Sequence, residues 1–316
     1  MRLAVVVPCT DSKRPTAAPL RLQDFGGQNS DTDRATKWVD ALRTAHADVR
    51  VAQIYKGVGW SASLDLVSSA RLRASHVTPR VLSAGLGLRD FDDLVPTYSA
   101  TFVPGHPDST AARSDDPRAA NRIWWSALNV AQGAESPFEQ LALTVDGLVV
   151  VAAGWYIDAV TDDLAKALAH TPTVVFSSVR PRDARIATVT PAFDRRLREG
   201  SAPFVRANDQ SLGQRVATAA IEALGPKVTD AQVTSEYLAG HMDRPPPVRH
   251  ERRAATDEAV AQFIGVALGR DSSATKSQLL RQWRDSGRAC EQRRFGQIFT
   301  DVQDVLNAAA GSHRVV

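Results

Sequence analysis

Cys9 and Lys13 stand four residues apart in the run Pro8-Cys9-Thr10-Asp11-Ser12-Lys13-Arg14-Pro15, and both can take part in covalent or proton-transfer chemistry. A cysteine attacks as its thiolate, a form favoured by a nearby ammonium or helix N-terminus. Asp11 adds a carboxylate able to position water. Lys13 could instead hold a phosphate, helped by Thr10, Ser12 and the loop amides. The plain alternative is a small buried cysteine closing a strand, followed by a solvated Lys-Arg turn.

A second candidate stretch is Ser83-Ala84-Gly85-Leu86-Gly87-Leu88, continuing through Asp90, Asp92 and Asp93 to Pro96-Thr97-Tyr98-Ser99. Glycines at a strand end let a flat ligand approach the backbone, and Thr97, Tyr98 and Ser99 offer hydrogen bonds or a stacking face. An ordinary tight turn accounts for the same residues. The third glycine of a dinucleotide fingerprint is missing, and so is a P-loop lysine. Seven histidines are scattered without HExxH spacing, and GxSxG is absent, so neither a catalytic metal, a cofactor nor a serine triad is expected.

The elements that must carry these loops are legible as patterns. Leu3 to Val7 is a continuous apolar run that reads as a buried strand, and loops at the carboxyl ends of such strands hold the sites of open α/β sheets. A helix is expected over 33–47 with Asp31 or Thr32 as its cap, a strand over 49–55, and a helix over 61–75. A strand over 80–83 enters the glycine turn, and 104–118 reads as an exposed loop. Helices over 121–130 and 137–144 precede strands over 147–153 and 173–178, with a helix between them. This alternation predicts a mixed or mostly parallel sheet covered by helices.

Composition is globular, with 43% hydrophobic and 23% charged residues, and a formal charge of +3 permits a polyanion partner without requiring one. Two cysteines far apart give no disulfide framework. No leader pattern or membrane-length apolar run is visible, and the expected location is the cytoplasm, away from the membrane.

Together these pieces resemble the YaaA peroxide-stress protein superfamily, over roughly residues 1–200. Tyr55-Lys56-Gly57 stands where that family has a Y-x-G turn. The segment from Leu82 to Leu88, then Pro96-Thr97-Tyr98, stands for its LSGLYGVL stretch ending in PY. Trp155-Tyr156 takes the place of its aromatic EYF turn. The opening is similar to the Pro-Cys-Ser/Thr-x-x-Lys motif of the archaeosine synthase branch, matched by Pro8, Cys9, Thr10 and Lys13. Arg14-Pro15 departs from that branch's Pro-Tyr, which argues against its lysine-transfer chemistry.

The resemblance implies association with nucleic acid, DNA before RNA, and one branch belongs to DNA deazaguanine-modification loci that convert a cyano-deazaguanine to its amide. On that implication Cys9 adds to a nitrile, Lys13 supplies a proton, and Asp11 or Asp92 positions the water. Tyr98, Trp60 and Trp155 hold a flipped-out base, with Thr10, Ser12, Tyr55, Ser83, Gly85, Gly87 and Thr97 around it. Two rivals remain: a DNA-binding stress or regulatory protein without catalysis, and an enzyme acting on a free nucleotide.

Past residue 241 the character changes. Residues 242–255 are rich in proline and charge and read as a linker, followed by helices over 256–268, 275–285 and 289–306. The last two resemble a helix-turn-helix, with Asp285-Ser286-Gly287 at the turn. Lys276, Arg281, Arg284, Arg288, Arg293 and Arg294 outnumber Asp285 and Glu291 between them, an excess able to neutralise phosphates. A solvated helical hairpin that packs or dimerises is the alternative. A second basic run, Arg180 to Arg198 around Phe193, reads either as a nucleic-acid track or as a charged surface loop. The expected organisation is an α/β domain over 1–241, the linker, and a basic helical module over 256–316. No signal fixes an oligomeric state.

Overall fold

The computed structural model describes residues 1–13, 19–26, 30–112, 114–197, 211–242 and 253–312. Met1–Pro246 and Pro247–Val316 form two compact units.

The first unit is built on β1 (Arg2–Pro8), where Leu3 to Val7 are all buried. Each of its leucine and valine side chains contributes about 1.5–3 kcal/mol of hydrophobic stabilisation, and a run buried on both faces needs helices on both faces. The sheet runs β3-β2-β1-β4-β5, with β2 (His76–Ser83), β3 (Gly87–Asp90), β4 (Gly147–Val151) and β5 (Thr173–Phe176). All pairings are parallel except the β2–β3 hairpin at one edge. The sheet is therefore mixed, and mostly parallel. Between β1 and β2 come α1 (Asp31–Thr44) and α2 (Val58–Arg71), and between β3 and β4 come α3 (Pro117–Gln132) and α4 (Pro137–Ala142). After β4 the chain continues through α5 (Gly154–Ala167) and, past β5, α6 (Ala184–Thr188), α7 (Leu212–Leu224) and α8 (Ala231–Ala239). Helix α2 packs on β1, β2 and α7, while α3 packs on α1 and α5.

The chain places β2 on one side of β1 and returns to place β4 on the other. The carboxyl ends of β1 and β4 thus form the switch point at which open α/β sheets open a crevice. Two tryptophans fasten the loop after β2 beside it: Trp38 of α1 donates its indole N–H to the Gly85 carbonyl at 2.7 Å, and Trp124 of α3 to Ala84 at 2.8 Å.

Several expectations are corrected. The strand expected over 49–55 is a two-residue pairing of Val49–Arg50 with Leu94–Val95, followed by a helical turn Val51–Ile54. Val51 and Ile54 are both buried, and their spacing of three suits a helix. The cap of α1 is Ser30, accepting from the Asp33 amide, not Asp31 or Thr32. The loop over 104–118 is not exposed throughout, because Asp108, Ser109 and Thr110 are buried. Asp108 accepts from Ser99 Oγ at 2.7 Å and from the Gln23 amide at 3.1 Å, which draws the loop inward.

In the second unit α9 (Asp257–Arg270), α10 (Lys276–Asp285) and α11 (Gln292–Ser312) enclose a small core of Val260, Ile264, Leu279, Trp283 and Phe295. Thr275 and Gln278 form a reciprocal capping box at the start of α10. The third helix starts later than expected. Arg288–Ala289 pair in parallel with Arg253–Ala254 as β7 and β6, after a turn in which Gly287 has a φ of +77°. Most of the expected linker lies outside the described residues. Among the described residues no helix is long and apolar enough to cross a membrane.

Asp163 of α5 is 6% exposed and caps α4, accepting from the Phe138 and Glu139 amides and from Trp125 Nε1. Burial outweighs these bonds and pushes its carboxyl up to about 6. Between the ordinary carboxylate range and that value the folded chain holds a proton that the unfolded chain lacks. Stability therefore falls as pH rises through about 4 to 6, by on the order of 2–3 kcal/mol. Urea denaturation across that window should show this slope in the wild type and lose it in Asp163→Asn.

Candidate functional site

The loop leaving β1 begins at Cys9, whose amide donates to the Leu82 carbonyl at 3.0 Å and so extends the β1–β2 ladder by one step. This holds the thiol at the carboxyl end of the central strand, 8% exposed. Its sulfur lies 3.3 Å from the hydroxyl of Tyr156, in the first turn of α5. Because α5 follows β4, the contact spans the switch point. Thr101 Oγ1 stands 3.5 Å from the same hydroxyl.

A second line of hydroxyls runs beside it. Ser83 Oγ accepts from the amides of Gly85 and Leu86 at 3.2 and 3.0 Å. With both lone pairs engaged, its proton goes to Tyr98 Oη, 2.6 Å away. Tyr98 in turn donates to Tyr55 Oη, also at 2.6 Å. Tyr55 ends this line, and the Ser83 side chain also acts on its hydroxyl. Lys13 bridges to Tyr55 through the backbone, and its ammonium lies 4.7 Å from the centre of the Tyr98 ring and 5.9 Å from that of Tyr55.

Burial pushes the hydroxyls of Tyr55, Tyr98 and Tyr156 above the ordinary phenol range. A charge on Cys9 adds to the push in each case, after that of Tyr55 for Tyr98. All three therefore stay neutral, and Tyr98 and Tyr156 cannot serve as bases near neutral pH. The arrangement offers a nucleophile, a directed hydroxyl chain and an ammonium. It suits addition of sulfur to an electrophilic carbon in a ligand held by hydrogen bonds.

The residues named from sequence divide into groups. Cys9, Lys13, Tyr55, Ser83 and Tyr98 come together. Thr10 and Ser12 shape the loop: Thr10 Oγ1 donates to the Ser12 and Lys56 carbonyls, and the Lys56 amide also donates to Ser12. Thr97 acts through its carbonyl, which accepts from Leu20. Asp11 is exposed and faces His106 at 3.8 Å, and Asp92 faces Arg50 at 3.4 Å. Trp60 is 3% exposed, donates to the Ala52 carbonyl and packs on Tyr55 and Phe91, so it supports the site from behind. Trp155 lies under the Arg118 guanidinium at 4.3 Å. Gly85 and Gly87 serve packing of the chain itself. A Cβ on Gly85 would come 2.6 Å from the Tyr98 ring, and Gly87 has a φ of +79° with Asn129 beside it.

Sequence reasoning named Tyr156 in the aromatic turn but carried Trp155 into the site in its place, and it missed Thr101 and Asp108. For Tyr156 the signal was the buried spacing Tyr156, Ile157, Val160 in α5, which marks it rather than Trp155 as the inward aromatic.

In the second unit Arg284 donates to the Cys290 carbonyl, Arg288 stacks 4.8 Å from the Trp283 ring, and Arg294 pairs with Asp257 at 2.6 Å. Those three arginines brace the module. Lys276 and Arg281 are exposed and make no ion pair among the described residues, and the Arg293 side chain lies outside them. In the other basic run Arg185 pairs with Asp183 and Arg196 with Asp194, Phe193 is buried, and Arg198 lies outside the described residues. Among the described residues no group of three or more His, Cys, Asp or Glu could hold a metal ion. No family model, curated protein or solved structure matches the chain.

Gly85→Ala should drive a methyl into Tyr98 and disturb the hydroxyl chain. A stability loss of about 1–3 kcal/mol by denaturant titration is expected, and an unchanged midpoint would contradict this packing.

Proposed function

We propose that the crevice at the ends of β1 and β4 acts on a nucleobase of the deazaguanine type in DNA, with Cys9 as nucleophile. The observation that carries the reading is the 3.3 Å contact between Cys9 Sγ and Tyr156 Oη across the switch point. The resemblance of the surrounding motifs to the YaaA superfamily supports it, as does a site made of neutral hydroxyls suited to a heterocycle.

In the proposed reaction the sulfur adds to the nitrile carbon while the thiol proton ends on the nitrile nitrogen, giving a thioimidate. Water adds to that carbon, the sulfur leaves with its proton, and the amide is released. Tyr156, donating toward the sulfur, stabilises the charge that develops there, and Lys13 is the nearby cation for the proton transfer. Asp11 is the exposed carboxylate of the same loop and orients the water. The helical module would approach the phosphate backbone through Lys276 and Arg281, exposed cations that make no ion pair among the described residues.

Incubation with DNA carrying a cyano-deazaguanine should give a wild-type mass adduct on Cys9, absent in Cys9→Ser. Cys9→Ser with unaltered turnover would sink the thioimidate. In fluorescence anisotropy with labelled duplex, Lys276→Glu/Arg281→Glu should weaken binding and lower the log–log salt slope by about 2, near 1 per lost phosphate contact. A wild type that ignores duplex but reacts with the free base would favour the free-nucleotide reading.

A further inference from the structure

Beside the glycine turn, on the α1 side, the first unit has a cavity of about 450 Å³ lined by none of the crevice residues. Val39 and Leu42 of α1, with Leu86, Val95 and Pro96, give it an apolar wall. Its size falls within the range of about 300–1,000 Å³ in which small-molecule pockets are found.

Two charged side chains at this wall have no ion partner among the described residues: Arg89 of β3 and Asp93 in the turn after it. Arg89 donates its Nε–H to the Leu86 carbonyl at 2.9 Å, and Gln132 donates to the same oxygen at 3.1 Å. The guanidinium is thereby fixed, while its two terminal nitrogens find no acceptor among the described residues. Asp93 accepts from the Asp90 amide at 3.1 Å through Oδ2. Its charge acts on Arg89, yet the two do not pair, and burial still lowers the pKa of the guanidinium. Arg43, the other cation at the cavity, is already engaged by Asp40 at 3.3 Å and by the Ala131 carbonyl at 2.9 Å.

A fixed cation and a fixed anion, unpaired beside an apolar wall, complement a ligand that carries the opposite pair on an apolar body. We infer that this cavity binds a free α-amino acid with a large apolar side chain. The carboxylate meets the terminal nitrogens of Arg89, the ammonium meets Asp93, and the side chain lies on Val39, Leu42 and Pro96. A phosphate ester or a simple fatty acid would answer Arg89 but bring no cation to Asp93, which selects against both. The inference rests on neither catalysis nor nucleic acid.

The test is isothermal titration calorimetry of the full chain with L-leucine and L-phenylalanine. Their amides, which lack the carboxylate, and isocaproate and hydrocinnamate, which lack the ammonium, serve as partners in the comparison. The wild type should bind at least one of the two amino acids, and its two analogues about tenfold or more weaker. Arg89→Gln should weaken the amino acid by about tenfold or more. That variant also loses the bond to Leu86, so Asp93→Asn gives an independent reading. The asparagine oxygen can still accept from the Asp90 amide, and the chain should lose its preference for the amino acid over the deaminated acid. An unfolded chain would lose both ligands instead. A wild type that binds neither amino acid overturns the inference. So does equal binding of amino acid and deaminated acid, an Asp93→Asn chain that keeps the wild-type preference, or an Arg89→Gln chain that binds as the wild type does.

Discussion

The surroundings of Cys9 depend on β1 being held in register on both sides at once. Leu3 to Val6 pair with β2 on one edge and β4 on the other, and the ladder to β2 continues through Pro8 to the Cys9 amide. A residue at that point has no freedom to move along the strand. A slip of one position would put Pro8 or Thr10 where the thiol stands and turn every side chain of the strand to the opposite face. The register therefore places the sulfur within 3.3 Å of Tyr156, although 147 residues separate the two in sequence.

The aromatic scaffold around Cys9 follows from the same constraint. Tyr55, Tyr98 and Tyr156 arrive from three different connections, and each hydroxyl finds a partner only because the strands deliver the loops to one place. Trp38 and Trp124 hold the Ala84–Gly85 backbone from the helices, so the turn that orients Ser83 is fixed from outside as well as by its own bonds. A buried polar network of this kind is stable when its members are satisfied and expensive when one is removed.

The four parallel strands and the central placement of Cys9 were legible in the sequence, because a run such as Leu3 to Val7 admits few other structures, whereas the edge strand Gly87–Asp90 was hidden in the glycine turn. Ser83 and Tyr98 were legible as site residues because both flank the glycine turn. Tyr156 was not, since its partner lies far away in sequence and no local pattern encodes that pairing. The helical turn at Val51–Ile54 escaped for another reason. Over so short a segment, alternation and three-residue spacing select many of the same residues. Asp108 was hidden in a stretch of turn-forming composition, where only tertiary bonds reveal burial. The basic residues of the second unit carried the right charge in sequence, but their roles depended on neighbours such as Asp257 and Trp283.

The direction of the Ser83–Tyr98–Tyr55 chain is set at one end by two backbone amides, which cannot change their role. Each hydroxyl along it therefore has an assigned role, Ser83 giving its proton to Tyr98 and Tyr98 giving its proton to Tyr55. Burial holds these phenols above their ordinary range, so the polarity of the chain is set by the backbone and does not reverse with acidity near neutral pH.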